Sequence, residues 1–84
     1  MKFSPLDVVV LDADVPAHRL RRGDLGAVVE VHQPDGLEVE FVTASGRTQA
    51  LVTMKETNVR AVADNDLVAV RRTTIRGDLR LRVR

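Results

Sequence analysis

The chain has 84 residues, no cysteine, two histidines and a formal net charge of +1. That length allows one small domain, and the missing cysteines exclude disulfides and thiolate metal sites. No apolar run approaches the ~18 residues of a membrane span, and the stretch after Met1 is broken by Asp7 and Asp12, unlike a signal peptide, so the cytoplasm is the expected compartment.

Leu6 to Leu11 is a short apolar run between Pro5 and Asp12 and reads as a mostly buried strand. Asp14 to Arg22 holds Pro16, His18 and three arginines, which suits a loop or a single turn. Arg22-Gly23-Asp24-Leu25-Gly26 is a glycine turn. Ala27 to His32 follows as a strand with Ala27, Val29 and Val31 expected on one face. Gln33-Pro34-Asp35-Gly36 has the composition of a tight turn. Leu37 to Val42 alternates most strictly: Leu37, Val39 and Phe41 on one face, Glu38 and Glu40 on the other. Thr43 to Arg47 is a hairpin loop with Gly46 at the position that favours a left-handed backbone. Thr48 to Thr53 returns as a strand, Met54 to Asn58 makes an irregular or 3₁₀ turn, and Val59 to Val62 closes. Leu51 to Arg60 also admits a helical reading. The fifteen valines and nine leucines, with Phe3 and Phe41 as the only aromatic residues, imply an aliphatic β core.

The charge is divided unevenly. Residues 1–70 carry seven Lys/Arg against eleven Asp/Glu; residues 71–84 carry six arginines against one aspartate. An acidic body with a basic tail is thus hidden in a near-neutral total. Leu79-Arg80-Leu81-Arg82-Val83-Arg84 alternates apolar and basic residues, the pattern of a half-buried strand, with Leu67 to Arg72 as its expected partner across a turn at Gly77.

The order Leu6-Asp7-Val8-Val9-Val10-Leu11, Arg22-Gly23-Asp24-Leu25-Gly26-Ala27-Val28-Val29-Glu30-Val31, Leu37-Glu38-Val39-Glu40-Phe41, Gly46-Arg47-Thr48 and Val59-Arg60-Ala61-Val62 resembles a family of short bacterial proteins, domain-of-unknown-function family 4926. The resemblance covers residues 3–62. It implies an SH3-like barrel, supplies no catalytic residue, and implies a stand-alone protein encoded beside a second small gene, as antitoxins are. A weaker likeness to the KOW motif, through Arg22 to Val28, supports the fold rather than nucleic-acid binding.

Candidate chemistry is sparse. His18 falls in a loop and His32 at a strand end near Asp35, short of the three or four ligands that zinc takes. Ser45 lies in a hairpin loop without a nucleophile elbow. Asp7, Asp12, Asp14 and Asp24 flank strands and turns, where they end strands and solvate loops. Arg-Gly-Asp-Leu occurs at residues 22–25 and 76–79, each time as a turn leading into a strand. Two aromatic residues and an acidic body make a poor platform for bases and phosphates.

The sequence therefore predicts an all-β, SH3-like antiparallel barrel over residues 1–62 and a basic β extension over 63–84, packed on the barrel or on a second copy. It predicts a non-catalytic protein-binding module with no cofactor and no metal. The expected partner is another protein, in the manner of an antitoxin or immunity protein with a small toxin, held through Glu30, Glu38 and Glu40. The alternative is nucleic-acid binding through Arg80, Arg82 and Arg84.

Overall fold

The strictly alternating segment sets the core. In the computed structural model, which describes residues 2–73, Leu37 and Val39 are fully buried and Phe41 nearly so, while Glu38 and Glu40 lie on the opposite face. They belong to β3 (Gly36–Val42), one of three interior strands. Its neighbours are β2 (Leu25–His32) and β4 (Thr48–Lys55); β1 (Val8–Leu11) pairs with β2 and with β5 (Val59–Ala61). All pairings are antiparallel, giving one five-stranded sheet in the order β4-β3-β2-β1-β5. The protein is all-β apart from two 3₁₀ turns, Pro16–His18 and Glu56–Asn58.

One apolar cluster draws on every strand: Val9 and Leu11 from β1, Val28 from β2, Leu37, Val39 and Phe41 from β3, Ala50 and Met54 from β4, Val59 from β5. A flat sheet without a covering layer would leave these side chains wet. Phe3 and Leu20, from outside the strands, belong to the same cluster. Val10 is also buried, on the face opposite Val9 and Leu11, whereas Val8 on that same face is half exposed. Full burial of one such valine or leucine contributes roughly 1.5–3 kcal/mol.

The first strand is shorter than expected. Leu6 is exposed, with φ 78°, because Ser4 and Asp7 close a turn: the Asp7 carboxylate accepts the Ser4 N–H at 2.9 Å and the Ser4 carbonyl accepts the Asp7 N–H at 3.1 Å. Asp14 to Arg22 is the expected loop. Pro16 opens its 3₁₀ turn and Arg19 ends it in a left-handed conformation; Leu20 then turns inward and is buried. Gly23, with φ 97°, supplies the glycine turn, and its N–H donates to the Leu11 carbonyl at 2.8 Å.

β2 corrects the predicted face. Gly26 and Val28 point inward, Val29 is exposed, and Val31 packs against the core. The ladder explains it. Val28 pairs with Val39 and Glu30 with Glu38, so two steps on β2 match one step on β3. The extra residue is a β-bulge, which shifts the inside–outside alternation by one. A second irregularity lies between Phe41 and Val42. The helical alternative for Leu51 to Arg60 is excluded, since β4 runs on to Lys55 before the 3₁₀ turn.

Beyond β5, Asp66 closes a turn by accepting the Ala63 N–H and both arms of the Arg60 guanidinium. The expected strand at Leu67 to Arg72 is not formed: these residues are irregular, with Leu67, Val68 and Val70 exposed. Among the described residues no strand pairs with them, and Arg71 ties them to Asp24 and the Arg19 carbonyl. The predicted strand Leu79 to Arg84, the Gly77 turn and the second Arg-Gly-Asp-Leu lie outside the described residues.

Candidate functional site

Three glutamates share the outer face. Glu38 and Glu40 alternate with the buried residues of β3, and the bulge brings Glu30 out of β2 directly opposite Glu38. His32 follows Glu30 by two residues and so lies on the same face, its Nε2 3.9 Å from Glu38 Oε1. The donor atoms of Glu30, His32 and Glu38 all lie within 4.8 Å of one another. Asp35, the carboxylate nearest to His32 in sequence, is not among them. Glu40 stands apart from this group: its Oε2 accepts the Thr48 hydroxyl at 2.6 Å, and its ladder neighbours are Ala27 and Leu51. Exposed Val8 and Leu51 continue that row across the sheet, so acidic and apolar groups alternate on one surface.

Several loop carboxylates have partners. Asp14 accepts the Arg22 N–H at 2.8 Å, and Asp12 lies 3.4 Å from the Arg22 guanidinium. Asp66 is held down to about 2 by the Arg60 hydrogen bonds and the Ala63 N–H. Asp24 binds the Arg21 N–H at 2.8 Å and takes two bonds from Arg71, at 2.8 and 2.6 Å. Among the described residues no lysine or arginine forms an ion pair with Glu30, Glu38 or Glu40. Arginines thus pair with Asp12, Asp24 and Asp66 in the loops, while the sheet glutamates have only His32 and Thr48 as side-chain partners among the described residues.

Arg71 is the first arginine of the basic tail, and it is consumed internally. Besides Asp24 it donates to the Arg19 carbonyl at 2.9 Å, tying residues 69–73 to the loop before β2. Beside it lies an open cleft of about 700 Å³, lined in part by Leu20, Leu25, Phe41, Val42 and Val70. Its one lining carboxylate is Asp24, already paired with Arg71. Arg80, Arg82 and Arg84 lie outside the described residues.

The Asp24–Arg71 pair sets an acid-side prediction. Burial alone pushes the Asp24 carboxyl up, but the hydrogen bonds from Arg71 and the Arg21 N–H, with both positive charges, bring it below its ordinary 3.8. A carboxyl lowered by folding stabilises the native state fully above its unfolded value and loses that contribution as pH falls through the folded value. Arg71→Gln is therefore expected to lower the urea midpoint at neutral pH, by on the order of 1 kcal/mol for a partly exposed pair. The difference from wild type should shrink as pH falls below 3.8.

Among the described residues no helix is long and apolar enough to cross a membrane. Neither a curated protein nor a solved structure matches the chain. The family model described as Domain of unknown function (DUF4926) matches residues 6–61, from the turn before β1 to the last residue of β5, and the chain belongs to that family.

Proposed function

We propose that the protein is a non-catalytic binding module, an SH3-like small barrel, whose glutamate face holds a basic surface of a partner protein. The observation that carries this reading is the placement of Glu30 opposite Glu38, where among the described residues no lysine or arginine forms an ion pair with either. Like charges directly opposite on a sheet are unfavourable, and a cationic partner surface would turn that cost into attraction. Charge complementarity of this kind speeds encounter and selects partners. The flanking Val8, Val29 and Leu51 supply apolar area for contact. A small basic toxin, with this chain as its antitoxin or immunity partner, is the class of pairing such a face suits.

Glu30→Lys separates binding from folding. The new lysine would face Glu38, replacing repulsion by attraction, so stability should hold or rise by about 0.2–1 kcal/mol. Capture of the basic partner from native cell extract should fall, with a slower on-rate and weaker salt dependence. Undiminished capture by the folded variant would place the partner elsewhere. The second reading, nucleic-acid binding through Arg80, Arg82 and Arg84, is favoured by the six arginines of residues 71–84. It requires strongly salt-dependent binding to DNA or RNA that Glu30→Lys does not weaken.

A further inference from the structure

We propose that Glu30, His32 and Glu38 form a surface site for a divalent transition metal, with zinc the best fit. The donor set is one imidazole and two carboxylates on adjacent strands, drawn from two ladder positions by the bulge. Zinc binds such ligands at about 2.0–2.2 Å, which places tetrahedral ligands about 3.4 Å apart. His32 Nε2 and Glu38 Oε1 are already at 3.9 Å, and all three donors fall within 4.8 Å. Small side-chain rotations close the remainder, and these groups are free to make them: the His32 and Glu38 side chains are 47% and 27% exposed. An imidazole in the set favours zinc over magnesium or calcium, which take oxygen ligands. Three protein ligands leave a fourth position for water or for a ligand from another molecule. A dication between Glu30 and Glu38 also removes the repulsion that the ladder imposes. The sequence alone paired His32 with Asp35 and found too few ligands; the missing donors come from across the strand.

The site is complete within one chain and stands independently of the protein-binding reading, so its test needs no partner. Zinc ion alone is titrated into the full chain by calorimetry, with cobalt(II) as a spectroscopic probe. Saturation at one equivalent is expected, with the strong visible absorption of tetrahedral cobalt and much weaker binding of magnesium. His32→Ala and Glu38→Gln should each weaken zinc binding at least about tenfold, since disturbing even an outer-shell partner costs that much. His18→Ala should leave it unchanged. Glu30→Gln, at an exposed position, repeats the test should either of the others fail to fold. Absence of saturable binding would overturn the proposal. So would equal losses in His18→Ala and His32→Ala, or magnesium binding as tightly as zinc.

Discussion

Gly26→Ala is expected to destabilise the fold by about 3 kcal/mol, the upper part of the range for overpacking a filled core. A Cβ built at Gly26 would lie 2.6 Å from Val39 Cγ1 and 2.7 Å from Phe41 Cε2. Val39 is fully buried and Phe41 nearly so, and neither is the free end of a flexible chain. One of them must leave its rotamer, or β2 must lift away from β3. Gly26 sits in regular strand, so the cost is steric rather than conformational. Gly23 is the opposite case: its φ of +97° demands glycine, yet a Cβ there would meet nothing within 4 Å. Chemical denaturation of the two alanine variants distinguishes the causes. Gly23→Ala should lose only about 1–2 kcal/mol, the penalty of a left-handed residue, and Gly26→Ala appreciably more. A Gly26→Ala midpoint equal to wild type would mean that the sheet is looser at this point than described.

Leu37→Ala is expected to cost about 2–5 kcal/mol. Leu37 is fully buried and pairs in the ladder with Val31 on one side and Met54 on the other, so truncation opens a void at the centre of the sheet. A domain of this size has only on the order of 5–10 kcal/mol of stability, so the variant should be partly unfolded or close to it. Leu51→Ala is the matched control. Leu51 lies on the outer face and is half exposed, and its loss should move the urea midpoint by no more than about 0.5 kcal/mol. Any effect of Leu51→Ala on partner capture would then report on the surface rather than on the fold.

Where the sequence spoke through local periodicity, it was legible. The Leu37–Val42 alternation, the glycine turns at Gly23 and Gly46, the loop around Pro16 and the antiparallel order all follow from neighbours a few residues apart. The all-β class was readable on the same grounds, and the family from the resemblance of those segments to its members. What was missed depends on distance in the chain. The bulge between Val28 and Glu30 has no signature in composition: Val28 and Val29 are the same residue, and only the partner strand decides which is buried. The Asp24–Arg71 pair spans 47 positions, and no local pattern couples them. The gathering of Glu30 and His32 with Glu38 needs the β2–β3 register, which the tight turn at Gln33–Asp35 sets. The same local logic predicted a strand at Leu67 to Arg72, where the chain is irregular and Leu67, Val68 and Val70 are exposed.

Parity along β2 depends on a single residue. Were Val29 paired regularly in the ladder, Glu30 and His32 would fall in step with Gly26 and Val28 and face the oily interior, while Val31 would turn to water. The polar surface and the sealed core are thus two readings of one count. Substitutions on this strand change what a position presents; a slip of register that drew Val29 into the ladder would exchange which positions present anything at all. Deletion of Val29 removes the extra residue and the half-step together, and so should keep Glu30 and His32 outside and Val31 inside.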